Sequence, residues 1–326
     1  LTGLPNSHLA LKLGTAIFGF VAVPFTFLLG RLLYGHVVGL LSAFFLAVSH
    51  WHVTITRVGL RFPFTAAFIT PVLFFLLRAL RDNRRNDWLL AGLFLGIGLH
   101  TYTAMRIAPI LCIALVGIKL LIDGARKLSM EPIEGVDSWS WAFWKNGLLA
   151  ACFAFLLLLP LLRYMADDPQ GVWIRSLSRA QSDAVPTTSE LAIQFLENFK
   201  NALLMFNIQG DVVPVNTIPN EPVLGLVSGA LLILGLAYLV WRLLAYKDLR
   251  SVILLVCLFL LLLPSVLSLA YPVENPSVVR TGGAIPVVMI IAAIPLATTI
   301  LRLKSSNLRY GTVIAYTAVF ALILVA

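Results

Sequence analysis

The chain has 326 residues, of which 60% are hydrophobic and 12% charged, and its mean hydropathy is +0.93. Soluble globular proteins carry about 25% charged residues, so this composition excludes an ordinary soluble fold, a disordered chain and a disulfide-rich scaffold. The formal net charge of +9 does not indicate nucleic acid as a partner, because basic cytoplasmic loops also give membrane proteins a high isoelectric point.

Apolar stretches that could cross about 30 Å of hydrocarbon recur along the whole chain. Lipid offers no partner to an unpaired backbone amide, so each such stretch must be helical. The sequence therefore predicts an all-α, polytopic transmembrane bundle of about ten spans and an integral membrane protein surrounded by lipid. In chain order the predicted spans are 13–30, 37–53, 62–79, 88–104, 107–122, 146–163, 222–241, 251–270, 284–301 and 310–326.

The placement of Lys and Arg predicts the orientation of these spans. Most of the 24 basic residues fall in every second connection between spans, so the side on which these connections lie is assigned as cytoplasmic. The long connection 164–221 then lies outside. Within it, Ser189 is the predicted N-cap of a helix over 190–206 that is apolar on one face and polar on the other. Such a helix lies in the membrane surface or packs on the protein itself, and both alternatives stay open.

Four arginines lie in short connections on the predicted outer side, where arginine is normally scarce. Arg57 and Arg61 are four residues apart and share a helical face if the turn continues, Arg106 follows Tyr102 by four residues, and Arg280 precedes the 284–301 span. A guanidinium is a planar donor suited to phosphate, so the cluster predicts a site for a lipid-linked phosphate. The alternative is that these arginines reach phospholipid head groups or pair with Glu274 and the loop aspartates.

Other candidate sites are weaker. His50 and His52 point about 200° apart on a helix, so interfacial packing is favoured over a metal pair. Gly92, Gly96 and Gly98 are typical of a small-residue packing surface between helices. The sequence contains no nucleotide-binding loop, nucleophile elbow or zinc-protease helix.

Several short motifs resemble the integral-membrane glycosyltransferase C superfamily, in its dolichyl-phosphate-mannose protein mannosyltransferase and aminoarabinose transferase branch. The resemblance covers nearly the whole chain. Its motifs are Leu13–Gly19 with Gly30–Gly35, Ser49–His52 with Arg57–Arg61, Asp87–Gly92 with Gly98–Tyr102 and Arg106, Gly210–Asp211, and Glu274–Pro276 with Arg280 and Pro286.

The resemblance implies an inverting glycosyltransferase that moves a sugar from a polyprenyl-phosphate-sugar donor to a hydroxyl of a glycan, lipid or protein acceptor. The reaction takes place at the outer face of the membrane, and the resemblance implies a location in the cell envelope, in a bacterial plasma membrane. The resemblance implies no cofactor and no obligatory metal. The implied site residues are Arg57, Arg61, Arg106 and Arg280 for the donor phosphate, with Tyr102 and Glu274 lining the same cavity.

The sequence departs from the family in one respect. The family's acidic motif follows its first transmembrane helix, and residues 1–12 contain no Asp or Glu. We therefore expect 1–326 to be a single transmembrane glycosyltransferase domain truncated at both ends, with the catalytic base upstream of Leu1. Two other function classes stay open, a transporter or flippase for an anionic lipid or solute and a non-catalytic membrane scaffold. Against the transporter, no internal symmetry is found.

Overall fold

The computed structural model describes residues 8–129, 136–169, 188–269 and 274–305, which fold almost entirely as helices joined by short connections. Two 3₁₀ turns, Thr103–Ile107 and Gly282–Ala284, lead into long helices. The α-helices are α1 (His8–Tyr34), α2 (His36–Val48), α3 (His50–Arg57), α4 (Pro63–Asp82), α5 (Arg85–Gly98), α6 (Ala108–Leu128), α7 (Trp141–Asp167), α8 (Thr188–Leu204), α9 (Leu226–Tyr246), α10 (Leu249–Val266) and α11 (Ile285–Ser305).

In the described part of the chain, seven helical segments are long and apolar enough to cross a membrane, and the bent pair α2–α3 makes an eighth if it is one span. The pair bends by 51° at Ser49, whose backbone is extended. The predicted span 88–104 is too long, because α5 has only 14 residues and covers about 21 Å. The predicted span 310–326 lies outside the described residues.

The centre of the bundle is formed by α4 and α11. Of the apolar 18-residue stretch of α4, 89% is buried inside the protein, whereas only 11% of the corresponding stretch of α7 is buried. Small side chains allow this close packing. A Cβ atom on Gly235 of α9 would lie 2.2 Å from the carbonyl oxygen of Ile291 in α11. The exposed apolar side chains of α7 therefore form part of the surface available to lipid.

The predicted small-residue packing surface is confirmed for Gly92 and Gly96, which face α7, whereas Gly98 packs against Met105 and Phe68. A Cβ atom on Gly92 would lie 2.5 Å from the carbonyl oxygen of Ala150, which is far closer than atoms can approach. Gly117 of α6 is a matched control, because no atom lies within 4 Å of its added Cβ.

We expect Gly92→Ala to lower the thermal unfolding temperature of the purified protein in detergent, because its new methyl group collides with the α7 backbone. Gly117→Ala should leave that temperature unchanged or raise it slightly, since alanine is favoured over glycine in a helix by about 1 kcal/mol. Equal unfolding temperatures for the two variants would contradict the close approach of α5 and α7.

The amphipathic helix of the long connection is α8. Ser189 is the second residue of this helix, which begins at Thr188, so the predicted N-cap is wrong by at least two residues. The side chain of Asn198 is buried and donates a hydrogen bond from Nδ2 to the carbonyl oxygen of Val266, at 2.9 Å. Ile193 and Leu196 are more than half exposed. The helix also packs on α10 through the Phe199 ring, 5.5 Å from that of Phe259, and buries Ala202, so it contacts the protein through polar and apolar groups and leaves other apolar groups outside.

Candidate active site

A cavity of about 690 Å³ lies where four connections of the bundle meet. Each connection belongs to the side that the sequence assigns as extracytoplasmic. The lining residues are Leu60, Arg61, Phe62, Tyr102, Thr103, Ala104, Val213, Asn216, Pro264, Leu267, Ser268, Glu274, Ser277, Val279 and Arg280. The cavity thus contains two of the four predicted arginines together with Tyr102 and Glu274.

The first wall of the cavity comes from the α3–α4 and α5–α6 connections. The helix α3 ends at Arg57, and Gly59 then adopts a φ of +77°, so Arg57 and Arg61 do not share a helical face as the spacing predicted. This left-handed backbone is readily available to glycine. The Arg61 guanidinium carbon lies 5.9 Å from the centroid of the Tyr102 ring, within the range of a cation–π contact.

The second wall centres on Arg280. Its Nη2 donates a charge-assisted hydrogen bond to Oε2 of Glu274, and the arginine side chain is only 14% exposed. Its Nη1 is buried and has no hydrogen-bond partner among the described residues. A guanidinium carries five N–H donors, so the pair with Glu274 leaves Arg280 able to bind a second acceptor.

Asp211 is a fully buried carboxylate that joins two segments of the second wall. Its Oδ1 accepts a hydrogen bond from the backbone N–H of Val213 at 2.9 Å. Its Oδ2 accepts from Asn216 Nδ2 at 3.0 Å and from the backbone N–H of Val278 at 3.1 Å. Burial raises the pKa of Asp211 above its ordinary value, the three hydrogen bonds lower it in part, and the negative charge of Glu274 raises it further. Asp211 thus holds the 211–216 and 275–281 segments together.

The 275–281 segment is also anchored to the helices around it. Trp51 of α3 donates from Nε1 to the carbonyl oxygen of Val278 at 2.9 Å, and Ser265 of α10 accepts at Oγ from the backbone N–H of Ser277 at 2.9 Å. Trp51 is 2% exposed, so its hydrogen bond is protected from water. These contacts make the backbone preceding Arg280 a fixed support for its side chain.

Arg57 and Arg106 do not line the cavity. Arg57 is exposed at the end of α3, and Arg106 is half-buried in the 3₁₀ turn whose first residues, Thr103 and Ala104, do line it. A phosphate role for these two arginines stays a prediction. Sequence reasoning missed Asp211, Asn216 and Ser268 as parts of the site. Of these three residues, only Asp211 belonged to a motif of the family resemblance, Gly210–Asp211.

The two histidines near the bend show packing contacts. Nε2 of His52 lies 3.0 Å from the carbonyl oxygen of Gly19 in α1, and Nε2 of His50 lies 3.3 Å from the Thr54 hydroxyl. No group of three or more metal-ligating side chains occurs within the described ranges. The packing interpretation of His52 is therefore supported by its position between α1 and α3.

Residues 3–133 match the family described as dolichyl-phosphate-mannose-protein mannosyltransferase. A comparison with curated proteins finds no match. The family match confirms the resemblance to membrane glycosyltransferases over the part of the chain that supplies the first wall of the cavity.

Solved structures similar to this chain include oligosaccharyltransferases of Archaeoglobus fulgidus. One, tethered with an acceptor peptide containing the NVT sequon, shares 15% identity at a TM-score of 0.54 and is matched over 98% of this chain and 43% of its own. Another, AglB in complex with an inhibitory peptide and a dolichol-phosphate, shares 13% identity at a TM-score of 0.54 over 97% of this chain and 44% of its own. This chain thus spans less than half the length of these proteins and has their fold, which confirms the predicted fold class.

Proposed function

We propose that this protein is an integral-membrane glycosyltransferase that transfers a sugar from a polyprenyl-phosphate-sugar donor to an acceptor hydroxyl at the extracytoplasmic face. The proposal rests mainly on one observation, the presence of Arg61 and Arg280 in the same cavity, on a chain whose residues 3–133 match a glycosyltransferase family. The bacterial plasma membrane, and a glycan, lipid or protein as acceptor, stay predictions of the resemblance.

The charges of the cavity favour an anionic ligand. Its lining holds two arginines and one carboxylate, Glu274, which leaves one positive charge in excess. Arg61 lies on the first wall and Arg280 on the second, and an arginine on each wall suits the binding of a phosphate between them. The cavity volume of about 690 Å³ falls within the usual range for small-molecule sites, about 300–1,000 Å³.

The apolar part of the lining suits an isoprenoid chain. Leu60 and Leu267 line the cavity and are 44% and 49% exposed, and Phe62, Val213 and Pro264 extend the apolar surface. An apolar chain that enters the cavity buries these groups from water, at about 25 cal/mol per Å² of apolar surface. A free sugar phosphate gains nothing from this surface, so the lining favours a lipid-linked donor. The dolichol-phosphate bound to the structurally similar AglB supports this choice.

The proposed reaction is a single displacement. The acceptor hydroxyl oxygen forms a bond to the anomeric carbon, the bond from that carbon to the phosphate oxygen breaks, and polyprenyl phosphate leaves with the electron pair. The hydroxyl proton passes to a carboxylate that acts as the general base. Arg61 and Arg280 stabilise the negative charge that develops on the departing phosphate, and the reaction inverts the anomeric configuration.

Membranes that contain the protein and a labelled polyprenyl-phosphate sugar test this function. We expect label to move from the lipid to an acceptor, and we expect Arg61→Ala to reduce the rate by about 10- to 100-fold through loss of a charge-assisted contact. Arg163→Ala is the matched control, since Arg163 lies on the same predicted side and is 86% exposed. Movement of the intact donor across the membrane without transfer would instead favour a flippase.

A further inference from the structure

Three buried polar atoms without a hydrogen-bond partner among the described residues belong to neighbouring positions on the second wall. They are Ser268 Oγ, Asn275 Oδ1 and Arg280 Nη1, and we call the three residues the polar recess. Ser268 and Arg280 line the cavity, and Asn275 lies in the sequence between the lining residues Glu274 and Ser277. Ser268 is 3% exposed and Asn275 is 7% exposed. Buried polar groups in native proteins almost always have partners, and a polar ligand in the cavity would supply partners to these three atoms.

One carbonyl group holds Ser268 and Asn275 close together. The carbonyl oxygen of Ser265 accepts hydrogen bonds from the backbone N–H of Ser268 and from Asn275 Nδ2, each at 3.1 Å. Asn275 Nδ2 also lies 3.3 Å from Ser265 Oγ. These acceptors fix the orientation of the Asn275 amide, and its orphan atom is therefore the oxygen, which only accepts hydrogen bonds.

The chemistry of the polar recess differs from that of a phosphate site. Arg280 Nη1 is a donor, Asn275 Oδ1 is an acceptor, and the Ser268 hydroxyl is both. An ionised phosphate offers only acceptors and gives Asn275 Oδ1 no partner. Sugar hydroxyls both donate and accept hydrogen bonds, so a sugar can offer a partner to each of the three atoms.

We infer that the polar recess binds hydroxyl groups of the sugar carried by the lipid donor, and that Ser268 is a specificity-determining residue for that sugar. This inference rests on the proposed function. It orients the donor in the cavity, with the sugar against the second wall, the phosphate between Arg61 and Arg280, and the lipid along the apolar lining. Arg280 contacts both the sugar and the phosphate in this arrangement.

Ser268→Ala isolates this contact, because the removed oxygen has no partner among the described residues and the variant loses no hydrogen bond that they make. Ser228→Ala is the matched control. Ser228 lies at the start of α9, outside the cavity lining, and its hydroxyl donates to the carbonyl oxygen of Gly225 at 3.2 Å.

The test compares two ligands on the purified protein, by equilibrium binding in lipid nanodiscs. One is polyprenyl phosphate without a sugar. The other is a polyprenyl-phosphate sugar. It is chosen as the tightest binder among polyprenyl-phosphate mannose, polyprenyl-phosphate glucose and polyprenyl-phosphate aminoarabinose. We expect wild type to bind the sugar-bearing ligand more tightly. Ser268→Ala should weaken binding of that ligand by about 3- to 10-fold, the range for one hydrogen bond, and leave binding of polyprenyl phosphate unchanged.

The outcomes separate this inference from the proposed function. Equal wild-type affinity for polyprenyl phosphate and every sugar-bearing ligand would overturn the inference that the polar recess binds the sugar. A Ser268→Ala effect that is absent, or the same for both ligands, would overturn it as well. Failure of wild type to bind any of these lipids overturns the proposed function itself. Weakened binding in Ser228→Ala to the same extent would also contradict a specific role for Ser268.

Discussion

Replacement of Arg280 by alanine is expected to reduce sugar transfer by about 10²- to 10³-fold, the usual effect of removing one pre-positioned donor from a developing negative charge. The reason is geometric. Arg280 is almost buried, its Nη2 is held by Glu274, and the backbone before it is fixed by Trp51 and Asp211. A guanidinium held in this way needs no reorganisation when the phosphate leaves.

Arg280→Lys and Arg163→Ala complete this experiment. Lysine keeps the charge but has neither the planar fork nor the hydrogen bonds on two nitrogens, so we expect an activity between those of wild type and Arg280→Ala. Arg163→Ala should transfer at the wild-type rate. Steady-state transfer rates at saturating donor provide the measurement, and a wild-type rate in Arg280→Ala would remove the arginine from the mechanism.

Asp211→Ala is expected to destabilise the protein by about 3 kcal/mol or more and to abolish transfer. The change leaves the N–H groups of Val213 and Val278 and the amide of Asn216 without their acceptor, and each such loss costs about 1–3 kcal/mol when buried. The 211–216 and 275–281 segments then lose their common anchor, and both supply lining residues. The free energy of unfolding in detergent measures this effect. Asp167→Ala is the control, because Asp167 is 70% exposed.

The pH dependence of the free energy of unfolding separates the effect of the ionisable group of Asp211 from the effect of the size and shape of its side chain. Burial raises the pKa of Asp211 in the folded protein, so its proton is held more tightly there than in the unfolded chain. Its contribution to stability is therefore full below the ordinary carboxyl pKa and is lost as the pH rises through the raised value. Asp211→Asn has no titratable carboxyl at this position, so its free energy of unfolding should not show this decrease as the pH rises. Parallel pH profiles for wild type and Asp211→Asn would contradict the raised pKa.

The helices and the basic connections are the parts of the structure that the sequence could predict, because both depend on local composition. Apolar runs gave the long helices, and arginines in short connections on one predicted side indicated Arg61 and Arg280. The error at 88–104 has a local cause. An apolar run does not reveal that α5 ends at Gly98, where Thr101 donates its hydroxyl to the Gly98 carbonyl and the chain turns.

The parts that could not be predicted depend on contacts between distant segments. Arg61 and Arg280 meet in one cavity although more than 200 residues separate them in the chain. Ser268 belongs to no motif and Asp211 only to the short Gly210–Asp211 motif, because their roles arise from burial beside Val278 and Ser265. The separation of Arg57 from Arg61 depends on one left-handed glycine, Gly59, whose conformation the four-residue spacing does not reveal.

The central claim is that Arg61 and Arg280 together hold the phosphate of a polyprenyl lipid. Equilibrium binding of polyprenyl phosphate to the purified Arg61→Ala/Arg280→Ala variant in nanodiscs tests it most directly. Arg163→Ala/Lys200→Ala is the control, since it removes the same two charges from the same predicted side at exposed positions. We predict wild-type affinity in the control and a loss of at least about 100-fold in the cavity variant. Equal affinities in the two double variants would contradict the claim.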